Sequence, residues 1–135
     1  MRQRSVIDYA LARRATLADL FAGRVSTVDV CDAHPYLLRA ARYHGEPTTK
    51  KCPVCRGGEP LTHVTYTYGD ELGDSSGRVR ATRELPELAR QYGELRVYVV
   101  EVCRSCGWNH LTTSFVIGSG ASRSRRQPRR RAAEE

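Results

Sequence analysis

The sequence predicts an α+β fold in which a segment of short helices precedes a small antiparallel three-stranded sheet that carries an inserted loop and helix. Three observations predict it. Hydroxyl and acidic residues three positions apart recur before residue 45, stretches of alternating β-branched and aromatic residues follow residue 60, and two Cys-x-x-Cys pairs border those stretches.

Residues 1–47 read as the helical region. Ser5-x-x-Asp8, Thr16-x-x-Asp19 and Ser26-x-x-Asp29 each place a hydroxyl at an N-cap and an acid three residues on. Ile7, Leu11, Ala15 and Ala18, with Leu17 and Phe21 nearby, supply apolar positions at helical spacing, and the second box divides the first helix near Ala15. Gly23 offers a C-terminal stop. Pro35 suits the first position of a helix "PYLLRAARY" that ends before Gly45. The region is therefore expected to hold three or four short helices.

Residues 48–118 change character. "LTHVTYTYG" alternates between two faces and predicts a strand. "DELGDSSGRVRATRE" reads as a loop and "LPELARQYG" as two helical turns before Gly93, so that an insertion spans about residues 69–93. "ELRVYVVEVC" predicts a second strand, with Leu95, Val97 and Val99 on one face and Tyr98, Val100 and Val102 on the other. "HLTTSFVIG" is a third β-rich run. Residues 119–135 are too polar to bury and read as a basic, disordered tail.

Charge and composition narrow the function. The net charge of +7 is concentrated, because residues 121–135 hold six Arg and two Glu. The rest carries +3, and four thiolates around one Zn2+ would lower it to about +1. Arg123, Arg125, Arg126, Arg129, Arg130 and Arg131 form a candidate phosphate-binding arm for RNA or DNA. Two Phe, one Trp and one Met make a modest core, which a metal would help to hold. No apolar run approaches the ~20 residues that cross a bilayer. "MRQRSVIDYALARR" returns to arginine too soon for a secretory signal, so a cytoplasmic location without membrane association is expected. In a reducing compartment, five cysteines argue against a disulfide framework.

Four of the five fall into Cys52-x-x-Cys55 and Cys103-x-x-Cys106, with 47 residues between the pairs. Two residues between thiols let one tight turn present both sulfurs to a single ion, and two such turns complete the tetrahedron that zinc prefers. Gly57, Gly58 and Gly107 supply positive φ for these turns. The other uses fit less well. Thioredoxin chemistry needs one pair opening a helix in a βαβ unit, and haem attachment needs CxxCH, but Arg56 and Gly107 follow the second thiols. Zinc bound by four thiolates has no open position for a reactive water. An iron centre is the other metal the pattern admits. His110 is expected on the surface at a strand start, Trp108 in the core beside the metal, and Cys31 as a buried free thiol rather than half of a site with His34. Tyr66 and Tyr68 are read as one half-exposed sheet face, with base stacking as the other use.

The run "DVCDAHPYLLRAARYHGEP", followed by "CPVC", "LTHVTYTYG", "VYVVEVCRSCGWNHL" and "SFVIG", resembles a family of short actinobacterial proteins known only as a domain of unknown function. The resemblance covers most of residues 1–118 and leaves the arginine segment outside. It implies a zinc ribbon built on Cys52, Cys55, Cys103 and Cys106 and brings no activity with it.

The expected function is a non-enzymatic adaptor with structural zinc, associated with a nucleic-acid machine such as RNA polymerase or the ribosome, or with RNA or DNA through the arginine tail. One alternative is a helix-turn-helix regulator over residues 16–32, although "STVDVCD" is acidic and lacks Arg, Asn or Gln for base edges. Another is a small enzyme. Asp8, Asp19, Asp29, Asp32, His34, His44 and His63 titrate, but no spacing assembles them, and a deep polar pocket joining His34 or His63 to a carboxylate would favour that reading.

Overall fold

The computed structural model describes residues 2–118. Its twelve short elements build one antiparallel sheet of six strands rather than three. In chain order they are β1 (Arg4–Asp8), α1 (Ala10–Phe21), α2 (Thr27–Val30), α3 (Pro35–His44), β2 (Glu46–Pro47) and β3 (Thr62–Tyr68). A 3-10 segment (Asp70–Ser75), β4 (Arg78–Arg80), a second 3-10 turn (Thr82–Glu84), α4 (Leu85–Tyr92), β5 (Leu95–Val102) and β6 (Asn109–Ile117) follow.

The three anticipated strands form the centre. β5 lies between β3 and β6, while β2 and β4 both pair with the free edge of β3 and β1 pairs with the free edge of β6. The additional strands are short, and long-range pairing defines them. β1 carries the first anticipated helix cap, but Ser5 takes φ +51 beside a break in the β1–β6 register and Asp8 pairs with Thr113. Asp8 ends β1 one residue before Tyr9, the N-cap of α1, and its Oδ1 accepts from the Ala10 N–H at 2.9 Å.

Thr16 does not divide α1. Its hydroxyl donates to the Ala12 carbonyl at 3.1 Å, satisfying itself inside one continuous helix. The face of α1 turned inward carries Arg13, Leu17 and Leu20, whereas Ile7, Leu11 and Phe21 of the expected apolar stripe are exposed. The remaining caps follow the sequence. The Ser26 N–H donates to Asp29 Oδ2 at 2.9 Å at the start of α2, and Pro35 opens α3 while His34 Nδ1 accepts from the Tyr36 N–H at 3.1 Å.

Both sheet faces are covered. On one, Leu72, Leu85 and Leu88 pack against Leu95, Val97, Phe115 and Ile117. On the other, Ala40 and Ala41 of α3 lie on Val64 and Val102, with Tyr66 half-buried beside them. A third cluster closes one end of the sheet, where Val30, Leu61 and Trp108 surround Cys52 and Cys103. Among the described residues no helix is long and apolar enough to cross a membrane.

Candidate metal centre

Antiparallel pairing brings the two cysteine turns together. Thr62 opposes Val102, so the start of β3 lies beside the end of β5. The turn at residues 52–55 precedes β3 and the turn at 103–106 joins β5 to β6, which places both at the same end of the sheet.

Each turn closes on itself. The Arg56 N–H donates to the Cys52 carbonyl at 3.1 Å and the Gly107 N–H to the Cys103 carbonyl at 2.9 Å. The amides of Val54, Cys106 and Trp108 point at the sulfurs of Cys52, Cys103 and Cys106, each at 3.4 Å, and such donors stabilise thiolates. Across the turns, Cys52 Sγ lies 3.7 Å from Cys106 Sγ and Cys55 Sγ lies 3.7 Å from Cys103 Sγ. All four sulfurs lie within 4.8 Å of one another. A tetrahedron with metal–sulfur bonds of ~2.3 Å has edges of about 3.8 Å, so the set fits a metal ion such as zinc. Among the described residues this is the one group of three or more His, Cys, Asp or Glu whose donor atoms converge in this way.

Burial pushes the Cys52 and Cys106 thiols up to about 12. Burial also pushes Cys103 up, but the Cys106 and Ser105 amides and the neighbouring thiols outweigh it and bring this thiol below its usual value. Cys52 and Cys106 therefore hold their protons more tightly than free thiols do unless a positive ion replaces them.

The turns differ in backbone strain. Both place the residue after the second cysteine at positive φ, where Gly107 takes +92 and Arg56 takes +58. Of the expected glycines, Gly58 and Gly107 take positive φ, and Gly57 leaves that role in its turn to Arg56. A side chain at residue 107 would also sit 2.9 Å from the Cys31 carbonyl. Gly107→Ala is therefore expected to destabilise the protein by about 2 kcal/mol or more, from left-handed strain plus the clash. Arg56→Gly, which relieves strain in open surroundings, is expected to change stability by less than about 1 kcal/mol. Chemical denaturation of the two variants measures the contrast.

Cys31 lies beside the four clustered thiols. Its Sγ lies 3.4 Å from Cys106 Sγ, half-buried rather than buried. The Ala33 N–H donates to the Gly107 carbonyl and Asn109 Nδ2 to Asp32 Oδ1, both at 3.0 Å, which holds residues 31–33 on the second turn. His34 is exposed and occupied as a helix cap. His110 lies outside the sulfur cluster, its ring stacked 5.9 Å from that of Trp108. Trp108 is fully buried against Cys52 and Cys103, as anticipated. Arg123, Arg125, Arg126, Arg129, Arg130 and Arg131 lie outside the described residues.

Sequence reasoning missed two residues. Glu101 is buried, and its Oε2 accepts from Trp108 Nε1 at 2.7 Å and from Arg13 Nε at 2.8 Å. The signal was a carboxylate at an inward position of a strand otherwise rich in valine.

The sequence matches the Family of unknown function (DUF5318) over residues 1–132. That span takes in the arginine segment, which the family resemblance had placed outside. Over 123 residues the chain is 50% identical to an uncharacterized protein of Mycobacterium bovis and to two of Mycobacterium tuberculosis, an alignment covering 91% of this chain and 88% of each relative. No solved structure matches it.

Proposed function

The chain belongs to the DUF5318 family of unknown function, and from that premise we propose that it is a non-catalytic adaptor, held together by one structural zinc ion, that associates with RNA or DNA in an assembly such as RNA polymerase or the ribosome. The observation that carries this reading is the convergence of four thiols at tetrahedral spacing. Cys52, Cys55, Cys103 and Cys106 would hold the ion as in a zinc ribbon set into a larger sheet. Four thiolates fill the coordination shell, so the ion supplies stability rather than an activated water.

The nucleic-acid part is supported by α3. This helix contains no acid and exposes Tyr36 and Tyr43, with the Arg39 guanidinium 5.8 Å from the Tyr36 ring and that of Arg42 5.2 Å from the Tyr43 ring. Guanidinium groups displace counterions from phosphates, and tyrosine rings stack on unpaired bases. The six arginines of the C-terminal segment would add to the same term. The helix-turn-helix alternative loses support because its second helix, α2, is a single turn of four residues with Val30 buried against the metal cluster.

Two measurements test the reading. Elemental analysis is expected to find one zinc per chain. Its apparent affinity should rise with pH, because the metal-free Cys52 and Cys106 thiols, pushed up to about 12, are protonated at neutral pH and must release protons to bind. In a salt titration with single-stranded RNA, truncation after Gly120 is expected to flatten the salt dependence, and Tyr36→Ala with Tyr43→Ala to weaken binding about fivefold or more. Absence of RNA and DNA binding by the zinc-loaded chain would remove the nucleic-acid part and leave the metal part standing.

A further inference from the structure

Beside the four-cysteine cluster lies a small cleft of about 270 Å³ with a mixed, mainly apolar surface, bounded by the start of α1, the segment before the first cysteine turn, and β3, β5 and β6. It joins His63 to the carboxylates of Glu101 and Asp8. The volume lies just under the ~300 Å³ lower end of ordinary ligand pockets, which suits a small metabolite.

Its floor is fixed by the metal end of the sheet. Trp108, packed on Cys52 and Cys103, donates to Glu101, and Glu101 in turn holds Arg13. Both donors use Oε2. Oε1 of this 5%-exposed residue has no hydrogen-bond partner among the described residues, although Glu101 lines the cleft. Oε1 is not one of the buried unpartnered oxygens, so it is open to the cleft and can accept from a ligand that donates to it. Arg13 spends only its Nε on Glu101, leaving its terminal nitrogens as donors, and Lys50 lines the same cleft. Tyr9, Ala10 and Leu61 add apolar wall.

The cleft is thus lined by two cationic side chains, Arg13 and Lys50, and two carboxylates, Glu101 and Asp8, with Arg13 held in place by its ion pair with Glu101. A simple anion would be drawn to Arg13 and Lys50 but repelled by Glu101, and a simple cation would meet the reverse. A molecule bearing both charges satisfies all of them. We propose that the cleft binds a small zwitterion of the α-amino-acid type, its ammonium group meeting Glu101 and its carboxylate meeting Arg13 and Lys50. The site goes beyond the adaptor reading and makes the protein responsive to a metabolite. His63, which pairs with Glu101 across β3 and β5, adds its imidazole to the lining.

The test uses the full chain loaded with zinc, its metal content measured first so that failure of the metal reading is seen separately. The standard amino acids are screened at millimolar concentration by thermal shift, and hits are titrated by calorimetry. At least one amino acid is expected to bind saturably, whereas acetate and methylammonium, the two halves of the ligand, bind at least tenfold more weakly. Lys50→Ala is expected to weaken binding about tenfold, the value of one charge-assisted contact. Glu101→Gln should abolish it, because only the amide oxygen can accept from Trp108 and Arg13, which turns the NH2 group toward the incoming ammonium. Lys51→Ala, exposed and outside the cleft lining, should leave binding unchanged. No binding by any amino acid, acetate binding as tightly as the amino acid, or full affinity in Lys50→Ala would each overturn the proposal. Lys50→Ala decides the matter if Glu101→Gln does not fold.

Discussion

Cys103→Ser is expected to release the metal and abolish the cooperative unfolding transition at physiological temperature. Cys103 is fully buried at the junction of β5 and the second turn, and it contributes one of four sulfurs that hold two distant parts of the chain. Structural zinc supplies on the order of 10–16 kcal/mol in zinc-finger peptides, comparable to the entire net stability of a typical domain at about 5–15 kcal/mol. A serine hydroxyl is a poor substitute, and its buried oxygen would face three thiols without the ion. Cys31→Ser is the matched control, because Cys31 touches Cys106 from outside the set of four. It should keep one zinc per chain and lower the melting temperature by only a few degrees. Metal analysis and calorimetry on both variants decide the matter, and equal zinc content and melting temperature in wild type and Cys103→Ser would refute the assignment.

Trp108→Ala is expected to cost about 3–5 kcal/mol, the usual range for removing a buried tryptophan. The indole is fully enclosed between the cysteine cluster and Glu101, so the cavity would open at the place where metal centre and sheet meet. Trp108→Phe separates packing from hydrogen bonding. It keeps most of the ring but removes the N–H that reaches Glu101 Oε2 at 2.7 Å, leaving a buried carboxylate with Arg13 alone. The expected loss is about 1–3 kcal/mol. Pairing Trp108→Phe with Glu101→Gln in a double-mutant cycle by chemical denaturation gives the coupling directly, and a coupling indistinguishable from zero would mean that the bond is only geometric.

What the sequence made legible was chemistry with a fixed short spacing. The two Cys-x-x-Cys pairs, Pro35 at the start of α3, the Ser26–Asp29 cap and the alternation along β3, β5 and β6 are each written within a few residues. The rest depended on partners far away. β1 imitates a helix cap because Ser5 and Asp8 have the right separation, but its pairing with β6 outweighs that local preference. β2 and β4, two and three residues long, exist as strands through their hydrogen bonds to β3. In the site the same division holds. The gathering of the four cysteines was readable, while the approach of Cys31 to Cys106 across 75 positions and of Arg13 to Glu101 across 88 was not.

The pairing of Arg4 with Val116 also sets an order of events during synthesis. The four cysteines of the cluster are complete once Cys106 has been made, so an ion bound by them would close its loop while β6 is still being added. The first strand must wait for almost the last one described. Until then α1 and its inward residues have no finished sheet edge to settle on, and a nascent chain interrupted near residue 108 would carry all four clustered cysteines with its amino-terminal strand unpaired.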